Sequence, residues 1–241
     1  MIGEILPAMV AFAEAFDDAP DAVLFPEEEA LLVRAVEKRR REFATGRHCA
    51  RRALGALGLP PAPLLPGEAG APLWPPGIVG SITHCAGYRA AAVARARDVL
   101  TIGIDAEPNQ LLTDDVLELV SLPAERARLR DLASAAPGIS WDRLLFSAKE
   151  SVYKAWFPLA RRWLGFADAD ITINAANDGE ANDGDATAVT GTFEARLLVA
   201  GPEIGGAPLT GFTGRWLACD GVVLTAITVP AANAGAVTSV P

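Results

Sequence analysis

Apolar residues recur at Ala30, Leu31, Val33, Ala35 and Val36. After the charged run Glu37-Lys38-Arg39-Arg40-Arg41-Glu42 they return at Phe43, Ala50, Ala53, Leu54 and Leu57. This spacing predicts a helical region over 27–57. Gly58 and Pro60-Pro61 end it. Residues 60–77, with seven prolines and three glycines, read as loop or extended edge. Residues 78–84, Ile-Val-Gly-Ser-Ile-Thr-His, predict a short strand, and 88–94 are β-compatible. Residues 99–105, Val-Leu-Thr-Ile-Gly-Ile-Asp, give the clearest strand of the first half, with Pro108 as its stop. Short helices are predicted over 111–119 and 123–135, the second capped by Ser121 or Leu122 with Pro123 in its first turn. Leu144, Leu145, Ala148, Val152, Ala155 and Trp156 form one stripe of a helix over 141–157. Ser140 is its expected cap and Pro158 its expected end. The pattern then turns to β over 171–173, 192–199, 213–218 and 222–229. A bland stretch, 174–190, is expected to be mobile, and the tail from Ala231 to be frayed.

The order is helix then strands, followed by helices then strands. This predicts an α+β protein of two halves, 1–110 and 111–230, with a junction near 108–121 and a tail over 231–241. Length changes little: 241 residues fit one large domain or two small halves. Charge changes more. A net charge of −9 argues against a general nucleic-acid binder, which needs a broad basic surface. No window approaches the roughly 20 apolar residues of a membrane helix. The first 16 residues lack a basic leader, so no secretory signal is expected. Three cysteines, Cys49, Cys85 and Cys219, form no C-x-x-C pair; a reducing cytoplasm fits.

Four groups of residues offer chemistry. Asp105 and Glu107 share one face of their strand, because i and i+2 alternate together. Their like charges form either a hard-oxygen site for a cation such as magnesium or a solvated turn. Glu150 and Lys154 share one helix face four residues apart, as a surface ion pair or as the charged edge of a cleft. Arg39, Arg47 and Arg51 recur at eight and four residues on one helix face, and arginine suits paired phosphate bonds. Ser81 and Thr83 alternate with His84, a ring that is either a structural hydrogen-bonder or a phosphate ligand. The glycine-rich phosphate loops, HExxH and GxSxG are absent from the sequence.

Gly103-Ile104-Asp105-Ala106-Glu107 resembles the G-I-D-x-E signature of the surfactin-type phosphopantetheinyl transferases. Residues 146–155, Phe-Ser-Ala-Lys-Glu-Ser-Val-Tyr-Lys-Ala, resemble that family's F-S/T-x-K-E-S/A-x-x-K-A block. Residues 80–85, Gly-Ser-Ile-Thr-His-Cys, are similar to its upstream S-x-S/T-H block. All three stand in the family's order. Arg39-Arg40-x-Glu42-Phe43, Arg47-His48-Cys49-Ala50-Arg51 and residues 154–166 resemble the actinobacterial branch near the enterobactin-type enzymes. The likeness covers residues 26–229.

The resemblance implies two pseudo-symmetric α/β halves in a monomer, with coenzyme A bound between them. It implies transfer of the 4'-phosphopantetheine arm to a serine of an acyl, peptidyl or polyketide carrier protein, releasing adenosine 3',5'-bisphosphate. Asp105, Glu107 and Glu150 carry over as ligands of magnesium, with manganese as the alternative ion. Glu150 carries over also as the base for the serine, Lys154 as a pyrophosphate contact, and Lys149 as a catalytic residue of less defined role. Arg39, Arg47, Ser81, Thr83 and His84 carry over to coenzyme A binding. One departure is plain: Leu65-Pro66-Gly67-Glu68 has no basic residue where that branch tends to carry a lysine. The rival expectations are another magnesium-dependent phosphotransferase and a coenzyme A- or carrier-binding module without turnover.

Overall fold

A computed structural model describes residues 1–175 and 188–231. The expected mobile stretch therefore lies mostly outside the described residues, as does the tail after Ala231.

Two antiparallel sheets, each carrying a 20-residue helix, build the described chain. The smaller sheet has the order β1-β3-β2, from β1 (Ala11–Ala15), β2 (Ile78–Cys85) and β3 (Tyr88–Arg95). The larger has β4 (Val99–Pro108), β5 (Ala169–Ala175), β6 (Val189–Leu197), β9 (Gly211–Cys219) and β10 (Val222–Pro230), in the order β4-β10-β9-β6-β5. A two-residue pair, β7 (Glu203–Ile204) with β8 (Ala207–Pro208), closes a turn between β6 and β9. The helices are α1 (Pro26–Glu29), α2 (Glu37–Ala56), α3 (Asp114–Val120), α4 (Pro123–Ala135) and α5 (Trp141–Ala160).

Strand β1 was not foreseen. Its pattern is weak in isolation, because only Ala13 is buried and Phe12 stays 42% exposed. Pairing with β3 supplies what the sequence lacks, in register from Ala11↔Val93 to Ala15↔Arg89. Strand β3 is alanine-rich because both of its faces are covered. Ala91 and Val93 meet Cys49, Ala50, Ala53 and Leu54 of α2. Tyr88, Ala90, Ala92 and Ala94 face Ile102, Ile104, Leu217 and Leu224. Small side chains let those layers approach.

The helix expected over 27–57 is broken. Glu28 is fully buried and accepts Arg51 Nη1 at 2.9 and 3.0 Å, Leu64 N at 2.9 Å and Phe25 N at 3.0 Å. These bonds pin α1 against the side of α2, so the two cannot be collinear. The chain turns through Val33–Val36 and α2 starts at Glu37.

Helix α4 has the expected bounds. Leu122 is its N-cap, not Ser121, and Glu125 Oε2 accepts Leu122 N at 2.6 Å. Ser140 holds the N-cap position of α5 without a side-chain capping bond; its N–H donates to Asn109 Oδ1 at 2.8 Å. Pro158 does not end α5, which runs to Ala160 and stops where Arg161 turns left-handed at φ 51°. A proline in the last turn removes one hydrogen bond, to the carbonyl four residues back, and heavy packing of Val152, Ala155, Trp156 and Phe157 outweighs that loss.

The boundary expected at residue 110 falls in the turn after β4. Strand β4 is nevertheless the edge of the larger sheet, paired with β10 from Val222↔Pro108 to Ile227↔Gly103 and on to Pro230↔Val99. Its other edge faces β2. There the backbone ladder is replaced by side chains. Ile104 N donates to Ser81 Oγ at 3.1 Å and Ala106 N to Thr83 Oγ1 at 2.9 Å. These two hydroxyls join the sheets and satisfy edge amides that would otherwise be buried unpaired.

Candidate active site

Helix α5 lies directly on β4 and β10, and small residues permit it. A Cβ on Gly103 would stand 2.1 Å from Ser151 O and 2.8 Å from Ala155 N. On β10, Thr225 Oγ1 is 2.9 Å from Ser147 Oγ and 2.5 Å from Ser151 Oγ, all three residues wholly buried. Thr101 Oγ1 donates to Ala155 O at 2.9 Å. The glycine and serines of the two motifs are thus the residues that let helix backbone touch strand.

That contact brings Lys154 to Asp105. Lys154 Nζ donates to Asp105 Oδ1 at 2.7 Å and to Ile104 O at 3.1 Å. Asp105 is 5% exposed. Thr83 Oγ1 also donates to Asp105 Oδ1, at 3.3 Å, while Asp105 Oδ2 is buried with no partner among the described residues. Glu107 Oε2 accepts Arg143 Nη1 at 3.1 Å. Burial and the Asp105 charge push the Glu107 carboxyl up to about 7, against the opposing Arg143. Burial and the same Asp105 charge raise Glu150, against the opposing Lys154. Asp105 is thus near enough to both glutamates for its charge to act on them, an imbalance that Arg143 and Lys154 offset only in part.

Whether these residues suit a divalent cation follows from that imbalance. Among the described residues no three His, Cys, Asp or Glu side chains are gathered into a ready cage. Lys154 and Arg143 occupy one oxygen each of Asp105 and Glu107. The donor set is all hard oxygen, and Asp105 Oδ2 is a buried acceptor without a donor. This fits an ion such as magnesium, which takes one or two carboxylates and completes its shell with water and substrate phosphates.

A cationic region adjoins it. Arg39 Nη1 lies 2.9 Å from His84 Nε2. Since the guanidinium can only donate, the ring accepts there. Burial, and then the Arg39 charge, hold His84 below its usual range. Arg47 is buried, donates Nε to Leu64 O at 2.7 Å, and stacks 4.2 Å from the Phe43 ring centroid. Burial lowers it to about 10, with Glu28 opposing. Arg51 is not beside them in use, being spent on Glu28 and Val23 O.

Three expected site residues do not face the acidic cluster as free groups. Ser81 and Thr83 are buried, their hydroxyls committed to β4. Lys149 is not brought to the acidic cluster. Its ammonium is buried against Glu125 Oε2 at 2.9 Å and donates to Phe166 O and Ala169 O. Burial lowers it, with Glu125 opposing. Sequence reasoning missed Arg143 and Glu125. The signal for Arg143 was its place two helical turns before Glu150, on the same face.

Comparison with known proteins agrees along the chain. The family model "4'-phosphopantetheinyl transferase N-terminal domain" matches residues 27–94, and "4'-phosphopantetheinyl transferase superfamily" matches 101–200. The chain is 57% identical to 4'-phosphopantetheinyl transferase Svp of Streptomyces mobaraensis, over 96% of this chain and 90% of that protein. It is 51% identical to 4'-phosphopantetheinyl transferase PptT of Mycobacterium tuberculosis, over 94% and 97%. Enterobactin synthase component D of Escherichia coli strain K12 is 37% identical, over 52% of this chain and 59% of that protein.

Proposed function

The chain belongs to the 4'-phosphopantetheinyl transferase superfamily, and from that premise we propose that it moves the phosphopantetheine arm of coenzyme A onto a serine of an apo carrier protein. In that reaction the serine oxygen attacks the phosphorus that bears the pantetheine. The phosphorus–oxygen bond to adenosine 3',5'-bisphosphate breaks, and the serine proton passes to a base. The observation that carries the reading is Asp105, buried with Oδ1 on Lys154 and Oδ2 unpartnered among the described residues, beside Glu107 and Glu150, whose carboxyls burial and then the Asp105 charge raise.

Asp105, Glu107 and Glu150 would hold a divalent cation, which when bound supplies charge neutralisation for the pyrophosphate. The remaining roles belong to the chain's own groups. Lys154, fixed by Ile104 O and Asp105, places a point cation where charge develops on the leaving oxygen. Glu150, on the same face of α5 as Lys154, takes the serine proton. Arg39, His84 and Arg47 bind the nucleotide phosphates, and in the structure Arg39 lies on the His84 ring at 2.9 Å. Ser81 and Thr83 act from beneath, fixing β4 and so the direction of Asp105. Lys149 fixes α5 to Glu125 and the Phe166–Ala169 segment, steadying its neighbour Glu150. Phosphoryl transfer depends chiefly on such positioning and neutralisation.

No described helix is long and apolar enough to cross a membrane. Cys49 and Cys85 are buried free thiols, in keeping with the reducing cytoplasm where we place the protein. The test is direct. The chain, coenzyme A, magnesium and an apo carrier protein are incubated and the carrier is weighed intact. A mass gain of one phosphopantetheine arm is expected. An unchanged carrier at saturating coenzyme A would reject the reading.

A further inference from the structure

Arg143 belongs to none of the motifs that drew attention to the site. It stands seven residues before Glu150 and eleven before Lys154, so the three share one stripe of α5. Its guanidinium makes three contacts with the end of β4 and the turn after it. Nη1 donates to Glu107 Oε2 at 3.1 Å, Nε to Gln110 O at 3.0 Å and Nη2 to Leu111 O at 3.5 Å. Its neighbour Asp142 accepts Leu112 N at 2.8 Å through Oδ2, so the same turn is stitched to α5 twice.

The two carboxylates of β4 are therefore held alike. Each gives one oxygen to a cation of α5: Asp105 gives Oδ1 to Lys154, and Glu107 gives Oε2 to Arg143. Asp105 keeps Oδ2 unpartnered, and no described residue hydrogen-bonds Glu107 Oε1. A guanidinium anchored on two backbone carbonyls is a fixed post, not a mobile counter-ion. Its planar fork makes all three bonds at once, which a lysine ammonium on a flexible stem does not.

We propose that Arg143 is a positioning residue that holds Glu107 by one oxygen so that the other is presented to a divalent cation. The proposal rests on the reading above that Asp105, Glu107 and Glu150 bind such an ion. Partners of this kind orient ligating carboxylates, and losing one typically weakens metal binding by about 10- to 100-fold.

The test titrates Mn2+ into the whole protein without coenzyme A and reads free Mn2+ by electron paramagnetic resonance. Arg143→Met, which keeps the apolar stem, should raise the Mn2+ Kd by about tenfold or more. In turnover assays the magnesium needed for half-maximal rate should rise by the same factor, with kcat recovered at saturation. Arg143→Lys keeps the charge and loses the fork, and should weaken Mn2+ by about threefold or more; it decides the question if Arg143→Met does not fold. Wild-type binding that folded variants retain or exceed would overturn the proposal alone, marking Arg143 as a mere competitor for Glu107. A wild-type chain that binds no Mn2+ would overturn the metal reading beneath it, and the proposal with it.

Discussion

Replacing Gly103 with alanine inserts a methyl group where α5 lies on β4. The new Cβ would stand 2.1 Å from Ser151 O, 2.8 Å from Ala155 N and 3.1 Å from Ala155 Cβ. Two of these neighbours are backbone atoms, so no side chain can swing aside. Ordinary contact begins near 3.4 Å, which means helix and strand must part by about 1.3 Å at this point. Overpacking of this kind destabilises by about 1–3 kcal/mol. The larger effect falls on chemistry. Lys154 reaches Asp105 across this same contact at 2.7 Å, and a retreat of about 1 Å takes the pair beyond hydrogen-bond range. A misplacement of about 1 Å can lower the rate by roughly 100-fold, equivalent to about 2.7 kcal/mol of transition-state stabilisation. Carrier modification followed by intact mass gives kcat, and thermal unfolding of the same sample gives stability. Wild-type turnover with an unshifted Tm would refute the claim that helix–strand contact builds the site.

Two further substitutions separate architecture from charge. Lys149→Met should leave Glu125 buried without its cation and lower stability by about 3–5 kcal/mol, read from urea unfolding, because a broken buried pair strands a charge; a loss below about 1 kcal/mol would show the pair to be solvated. Glu14 is raised by burial but held lower overall by hydrogen bonds from Tyr88 Oη at 2.5 Å and Ile2 N at 3.0 Å. A carboxylate lowered in the fold contributes stability that is present above its ordinary value of 4.5 and lost as pH falls through the folded value. Glu14→Gln should therefore weaken the protein at pH 7 and flatten the acid limb of its stability profile. Equal losses at pH 7 and pH 3 would contradict that assignment.

Much of this molecule is legible in its residues because local pattern and tertiary demand agree. Helix α4 begins at Pro123 and α5 at Trp141, as stripes and caps predict, and β10 spans the Val222–Val229 run. Legibility fails where a distant partner decides. Glu28 breaks the long helix by bonding Arg51 and Leu64, residues 23 and 36 positions away. Strand β1 exists because β3 offers it an edge. Pro158 is carried inside α5 by packing that no breaker rule weighs. The site divides the same way. Spacing puts Asp105 with Glu107, and Glu150 with Lys154, but spacing leaves the two pairs unrelated. Gly103, Ser147, Ser151 and Thr225 join them by letting helix touch strand. Lys149, adjacent to Glu150 in sequence, points to Glu125 instead, since successive helix positions face about 100° apart.

Intact-mass analysis of an apo carrier protein, incubated with coenzyme A and magnesium beside the wild-type chain or Glu150→Gln, meets the central claim head on. Wild type should add one phosphopantetheine arm, and Glu150→Gln with an unchanged melting curve should add essentially none in the same interval. Modification at the wild-type rate by Glu150→Gln would contradict the role given to this carboxylate, and with it the site built around Asp105 and Lys154.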